Sequence, residues 1–307
     1  MRRREAVFGI AAAVAVPVRP ARAQAPVKMR VGIGLIEVHA QGYYAQDRGF
    51  FRRNGLDVEL RQLQLGAVVA EGVASGELEA GQSNLFSILA GYQHGIPFIM
   101  IAPSSTIDIN DPPHDALVVL KDSPIKTVKD LAGQVVGVFS VGGAQQMFVS
   151  ALVDKGGGDV GALKFLPVPP ASMIAALEQG RVAAIDLSEP DLGLNGERVR
   201  SLGSTLTAVT SHGLEGAWFT NNTWLAKNKD AARRFADAIV QAGQWSMQNP
   251  EAAAEILRKY IKTKATRATI KFGTTLTPAL VQPFCDTAAR FKLLQPMKAT
   301  DVVWDGK

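Results

Sequence analysis

The sequence predicts an α/β protein built as two lobes, each a sheet of parallel strands with helices on both faces. Three observations carry that expectation. Short apolar runs alternate with helix-period segments along most of the chain, the pattern of parallel strands joined by helical crossovers. The order of elements runs through twice, with one visible internal match. A chain of 307 residues also exceeds what one hydrophobic core usually organises, so two cores are expected.

The N-terminus stands apart from this pattern. "MRRREAVFGIAAAVAVPVRPARAQA" has a basic start, an apolar middle from Val7 to Val18 and the small-x-small end Ala21-Arg22-Ala23. That is the layout of a secretory signal peptide over residues 1–23, cut before Gln24. Its apolar core is shorter than the roughly 20 residues a membrane span requires, and Pro17 and Pro20 would break a buried helix. Arg2-Arg3-Arg4 and Arg22 also resemble a twin-arginine signal, but Glu5 and Ala6 stand where that signal carries a bulky apolar pair. The route is left open; the expected location is the periplasm. No Cys stands at the cut, so no bacterial lipid anchor is expected.

After the leader, "KMRVGIGL" (28–35) reads as the first strand and "AQGYYAQDRGFFRRNG" (40–55) as one helix closed by Gly55. "LDVELRQL" (56–63) is a second strand and "AVVAEGVASGE" a helix. "LEAGQSN" (78–84) is a short strand, "LFSILAGYQHG" a helix and "PFIMIAPSS" a strand. The order then recurs in "VVGVF", "AQQMFVSALVDKGG", "LKFLPVP", "ASMIAALEQGR" and "VAAIDLSEP". "VVAEGVASGELEAGQSN" (68–84) aligns with "SMIAALEQGRVAAIDLSE" (172–189): a helix closed by Gly76 or Gly180, then a strand holding Ala80 or Ala184. A crossing between lobes is expected near Asp115–Asp122, after Asp-Pro-Pro, and the return crossing in "EGAWFTNNTWLAKN". Lobe 1 then comprises residues 28–116 and 214–307, and lobe 2 residues 117–213. The helical tail, "DAARRFADAIVQAGQWSMQNP" and "PEAAAEILRKYI", packs on lobe 1, with Pro250 at a helix start.

Composition removes several function classes. The leader takes five Arg and one Glu with it, so the net charge falls from +5 to +1. No Lys/Arg run with interleaved aromatics remains to suggest nucleic acid. Cys285 is alone, which excludes a disulfide framework and a Cys-based metal site; it reads as a small core residue. His39, His94, His114 and His212 show no ligand spacing, so neither a metal nor a cofactor is expected.

Ligands of open α/β sheets bind beyond the carboxyl ends of the strands. Those ends carry Glu37-Val38-His39, Ser83-Asn84, Ser140-Val141-Gly142-Gly143-Ala144 and Ser188-Glu189-Pro190. "SVGGAQQ" invites a nucleotide reading, but a P-loop needs Lys-Ser/Thr where Ala144-Gln145-Gln146 stand, and the third glycine of a dinucleotide fingerprint is missing. Cradling of an acidic oxygen by helix-start amides survives, beside the plain strand–helix turn. Glu189 is either a ligand contact or the cap of the next helix. His39 is a ligand donor or a polar loop residue. Ser83 and Asn84 suit an N-cap, and Trp218 and Trp224 suit core packing or lobe bracing.

Taken in order, "AQDRGFFRRNGLDVEL", "GVASGELEAG", "GIPFIMIA", "IKTVKDLAGQVVGVFSVGGAQQMF" and "AIVQAGQWSMQNPEAAAEIL" resemble the SsuA/THI5-like (NMT1) solute-binding proteins. The resemblance implies a type II periplasmic binding fold: two α/β lobes joined by two crossing strands, with the ligand held in the cleft between them. It implies a small organic anion captured by lobe closure and handed to the membrane permease of an ABC importer. By position, the family's ligand loops fall on Glu37 and His39, on Ser83 and Asn84, on Ser140, Gly142, Gly143 and Ala144, and near Glu189. A monomeric, non-enzymatic receptor is expected. The alternative is a periplasmic enzyme using Glu189 or His39 as acid/base, or a relative of the thiamine-pyrimidine-precursor branch. That branch carries a Cys-rich segment which this chain lacks.

Overall fold

A computed structural model describes residues 25–63 and 66–306, so the expected leader at 1–23 lies outside the described residues. Among the described residues, twelve strands follow in chain order. The first five are β1 (Val27–Ile33), β2 (Leu56–Gln62), β3 (Ala80–Asn84), β4 (Phe98–Pro103) and β5 (Thr106–Asp108). Next come β6 (Asp115–Leu120), β7 (Val135–Val138), β8 (Lys164–Pro167), β9 (Ala184–Ser188) and β10 (Val199–Gly203). The last two are β11 (His212–Leu214) and β12 (Gly216–Asn221). They form two five-stranded sheets, ordered β2-β1-β3-β12-β4 and β10-β6-β9-β7-β8, and a two-stranded ribbon of β5 and β11 between them.

Reversing the second order to β8-β7-β9-β6-β10 makes the sheets equivalent. In each, the first strand is parallel to the second and third, and the third pairs antiparallel with a strand arriving from the other lobe. The internal match in the sequence is this equivalence. The helices Gly66–Ser75 and Met173–Glu178 are followed by Gly76 (φ 78°) and Gly180 (φ 68°), a left-handed backbone that favours glycine. The register then sets Asn84 against Gly216 and Ser188 against Asp115.

Three expectations need correction. The first crossing is β5, not Asp115–Asp122: "DALVVL" is buried along most of its length and is the fourth strand of the second sheet. The return crossing is β11, while "GAWFTN" lies buried between β3 and β4 as an antiparallel centre strand. Neither sheet is therefore all parallel, because a strand that enters from the other lobe runs the opposite way. The expected helix at 40–55 is two, Gln41–Asp47 and Phe50–Arg53, broken at Gly49 (φ 72°).

Lobe 1 is finished by the chain's tail, as expected. The helices Lys229–Gln248 and Pro250–Ile261 lay Ala232, Phe235, Ile239 and Leu257 against Tyr43, Tyr44, Phe51 and Trp218 in one buried cluster. Trp218 is fully buried, donates Nε1–H to Gln41 Oε1 at 2.9 Å and meets the Phe235 ring edge-on at 5.4 Å. Trp224 is half-buried against the same cluster. Cys285 is a buried core residue whose thiol pKa is pushed up to about 12 by burial.

Within lobe 2, two buried carboxyls tie β6 and β9 to the turn after β10. Thr205 Oγ1 lies 2.7 Å from Asp115 Oδ2 and 3.0 Å from Asp186 Oδ1. A hydroxyl has one proton, so one carboxyl must supply the other. Asp115 already accepts from Ser204 Oγ (2.7 Å), Thr205 N–H (2.7 Å) and Leu206 N–H (3.0 Å), which makes it the carboxylate. Asp186 is then the protonated acid. Burial first, and the Asp115 charge second, hold its pKa well above the ordinary value, against the pull of Thr205 and Gln145.

Two stability outcomes follow from this packing. Trp218→Ala is expected to cost about 3–5 kcal/mol in urea unfolding, and Trp224→Ala less than half of that; equal losses would contradict the burial assignment. An acid with a raised folded pKa ionises first in the unfolded chain, so its contribution to stability is lost as pH rises from about 4, by up to about 1.4 kcal/mol per unit. Asp186→Asn keeps a donor to Thr205 without that loss. Its advantage over the parent should grow from pH 4 to pH 7.5 in unfolding titrations; a pH-independent difference would mean that Asp186 is ionised in the fold.

Candidate functional site

A cleft of about 890 Å³ opens between the sheets. Lobe 1 contributes Leu35–Glu37 and the irregular stretch Ile261–Lys271 that follows the helix Pro250–Ile261. The first crossing supplies Thr106–Ile107–Asp108 and Asp111–Asp115, and lobe 2 supplies Glu189, Pro190, Gly193, Leu194, Ser204, Leu206 and Thr207. Much of the wall is apolar, and Ile36 and Leu194 are 46% and 74% exposed, high for large aliphatic side chains. A concave, largely apolar cavity with a few polar groups is the usual form of a small-molecule site.

The floor holds a chain of titratable groups. His114 Nε2 lies 3.1 Å from Glu215 Oε2, which also accepts from Ser105 Oγ at 2.9 Å. Burial opposes charge on His114, but the Glu215 hydrogen bond and charge, with Asp115 and Glu37 behind them, hold its pKa above the ordinary value. Burial likewise opposes charge on Glu215, and His114, Ser105 and His39 hold its pKa below the ordinary value. Both shifts favour the ionic form of the pair. At the rim, Lys262 and Lys264 are exposed ammoniums, while Lys271 pairs with Asp111 and Arg267 with Glu251 at 3.1 Å.

The residues expected from sequence are distributed as follows. Glu37 and Glu189 line the cleft. Glu37 Oε1 accepts from Thr269 N–H (2.6 Å) and Ile270 N–H (3.2 Å), which ties the Ile261–Lys271 stretch to lobe 1. Glu189 Oε2 accepts from Gly193 N–H at 3.1 Å, the capping role weighed beside ligand contact. His39 is not among the cleft-lining residues: its Nδ1 is buried without a partner, and burial lowers its pKa to about 4, so it is neutral at pH 7. Ser83 is buried with an unpartnered Oγ, and Asn84 Oδ1 caps its helix through Ser87 N–H at 2.9 Å. Ser140, Gly142, Gly143 and Ala144 form the exposed to half-exposed turn into the helix Ala144–Lys155 and are not among the cleft-lining residues.

In that turn, the amides are partly occupied by the helix's own side chains. Phe139 N–H donates to Gln145 Oε1 and Gly142 N–H to Gln146 Oε1, both at 2.7 Å. The sequence reading missed His114, Glu215 and the rim stretch Ile261–Lys271. A signal for the first two was present: each charged residue stands directly before an apolar run, "DALVVL" and "GAWFT", the placement that drew attention to Glu189 at the far end of its strand.

Among the described residues, no group of three or more His, Cys, Asp or Glu is placed to hold a metal ion, and no helix is long and apolar enough to cross a membrane.

Comparison with known proteins agrees with this architecture. The structure superposes on the periplasmic aliphatic sulphonate binding protein SsuA from Escherichia coli with a TM-score of 0.74 at 18% identity, covering 91% of this chain and 92% of that one. The two lobes and their connection are thus those of a periplasmic binding protein fold. A binding protein of Brucella abortus is 23% identical over 225 residues, 71% of this chain, and the match spans 66% of that relative's length. The taurine-binding periplasmic protein of Escherichia coli is 22% identical over 210 residues, 67% of this chain and 62% of its own. The profile of the family described as NMT1/THI5 like matches residues 37–253, from the first cleft loop into the tail helices, and the chain belongs to that family.

Proposed function

We propose that this protein is the substrate-binding receptor of an ABC-type importer, exported to the periplasm by its N-terminal signal, and that it closes its lobes on a small organic acid and presents it to a membrane permease. The observation that carries this reading is the cleft itself. Two equivalent sheets face each other across a largely apolar cavity, and its polar groups serve to bind and brace rather than to react. Catalysis by Glu189 or His39 finds little support. Glu189 is engaged as a helix cap, and His39 is neutral with its free nitrogen buried. Neither forms the nucleophile–base–orienter arrangement of a hydrolytic site.

An acidic ligand with an apolar body fits the wall best. Ile36, Ile107, Leu194 and Leu206 offer apolar surface from both sides, and Lys262 and Lys264 are exposed lysines at the rim. The names of the relatives, which bind sulfonates and taurine, point to the same acidic group.

Binding to the folded form alone raises stability by about 2.7 kcal/mol at a hundredfold excess over Kd, which for a chain of this size is a melting shift of about 5 °C or more. A thermal-shift screen of alkanesulfonates, carboxylates and pyrimidines should yield at least one such shift. No shift from any class at saturation would contradict the receptor reading. Leu194→Ser should change the melting temperature of the free protein little, since exposed positions cost within about 0.5 kcal/mol, while weakening binding of apolar-bodied ligands; unchanged affinity would remove Leu194 from the site.

The turn at Ser140–Ala144 has its own test. Gly143 is extended (φ −102°, ψ −176°), and an added Cβ would meet Ser140 Oγ at 2.2 Å, a side chain free to rotate away. Gly143→Val should therefore fold normally. Loss of ligand binding in that variant, measured by calorimetry, would place the turn in the site, and full binding would take it out.

A further inference from the structure

The strands that arrive from the opposite lobe begin just after His114 and Glu215. These are equivalent positions. Glu189 N–H donates to the His114 carbonyl at 2.9 Å, and Leu85 N–H donates to the Glu215 carbonyl at 3.0 Å. One lobe thus contributes an imidazole and the other a carboxylate at the same structural point, and the two meet at the floor of the cleft.

Hydrogen-bonding capacity decides what this floor offers a ligand. The neighbouring acids are occupied by protein donors: Asp115 by Ser204, Thr205 and Leu206, Glu37 by the amides of Thr269 and Ile270, and Glu215 by Ser105 and His114. Asp186, behind Asp115, is protonated, and His39, which faces Glu215 from lobe 1, is neutral. His114 lines the cleft with Nε2 committed to Glu215, so Nδ1 is the ring nitrogen left for a ligand. In a neutral ring that donates from Nε2, Nδ1 is an acceptor and repels an anionic oxygen. In the imidazolium it is a donor.

Resting on the receptor reading above, we propose that the His114 imidazolium, fixed by Glu215, donates its Nδ1–H to the acidic oxygen of the ligand. Acid capture then depends on the charge state of one residue at the junction of the lobes. The surrounding carboxylates Glu215, Asp115 and Glu37 all favour the charged ring, so the competent state persists above the ordinary histidine range and is lost on further rise in pH. Lys262 and Lys264 also line the cleft, exposed at its rim.

Calorimetric titration of the full chain with 1-pentanesulfonate, a probe whose own charge is constant between pH 5.5 and 8.5, tests this, with benzoate as a second acid. The parent should lose affinity about tenfold or more as pH rises across that range, the scale of one charge-assisted hydrogen bond. His114→Gln should bind weakly with a flat profile, and Glu215→Gln should move the fall to lower pH. Parent affinity and parent profile in His114→Gln would overturn the proposal and leave the receptor reading standing. No binding of either acid to the parent at pH 5.5 would overturn acid recognition and the proposal with it. Should His114→Gln fail to fold, NMR titration of the His114 ring decides: a midpoint that stays in place in Glu215→Gln overturns the coupling.

Discussion

Neither sheet can be completed by the lobe that builds most of it. β3 and β9 each pair on one side with the parallel first strand of their own lobe. The other edge would leave a row of buried amide and carbonyl groups without partners, which a folded interior does not tolerate. β12 and β6 fill those edges, and each reaches its place only after the chain has visited or is leaving the other lobe. Two crossings are thus a requirement of hydrogen bonding, and both must pass the same ends of the sheets. The cleft floor is the by-product, and His114 and Glu215 occupy it because they are the last residues before each completing strand.

The lobes are not otherwise equal. Lobe 1 gains the tail helices and with them the aromatic cluster around Trp218, Tyr43, Tyr44 and Phe235. The core of lobe 2 is built from Val, Ile, Leu and Met, with Val118, Ile185, Val136 and Val149 at its centre. The two are joined away from the cleft as well: Phe148, on the first helix of lobe 2, meets Phe284 edge-on at 6.0 Å, and Asp154 pairs with Arg290. Met147, Phe148 and Leu206 share an apolar cluster with Phe284 and Cys285.

Much of this architecture was legible in the chain. "VVGVF" and "PFIMIA" are continuous apolar runs because their strands are buried on both faces, and such runs survive any topology. The internal match was legible because a left-handed glycine after a helix leaves a fixed mark, at Gly76 and at Gly180. Strand direction was not, because pairing depends on partners far along the chain. β5 and β11 were missed since three residues carry no period. The site was less legible still. Glu37 is held by amides 232 residues away and His114 by a carboxylate 101 residues away. Local sequence did point to the capping role of Asn84, and held it open for Glu189, because such caps are contacts within four residues.

The turn at Ser140–Ala144 shows why a helix start is weaker evidence for a ligand than the sequence suggests. Unpaired amides at a helix N-terminus must find acceptors, and an acidic ligand is one solution. Gln145 and Gln146 supply another from within the first turn, placing carbonyl oxygens on the amides of Phe139 and Gly142. A ligand oxygen arriving there only exchanges one hydrogen bond for another, so it gains less than the roughly 1 kcal/mol net of a typical hydrogen bond. The floor at His114 differs in this respect. Glu215 takes Nε2 and leaves Nδ1 as the uncommitted ring nitrogen, which in the imidazolium is a charge-assisted donor. The two glutamines that make "SVGGAQQ" unlike a phosphate loop in sequence therefore also lower what its amides can offer an acid.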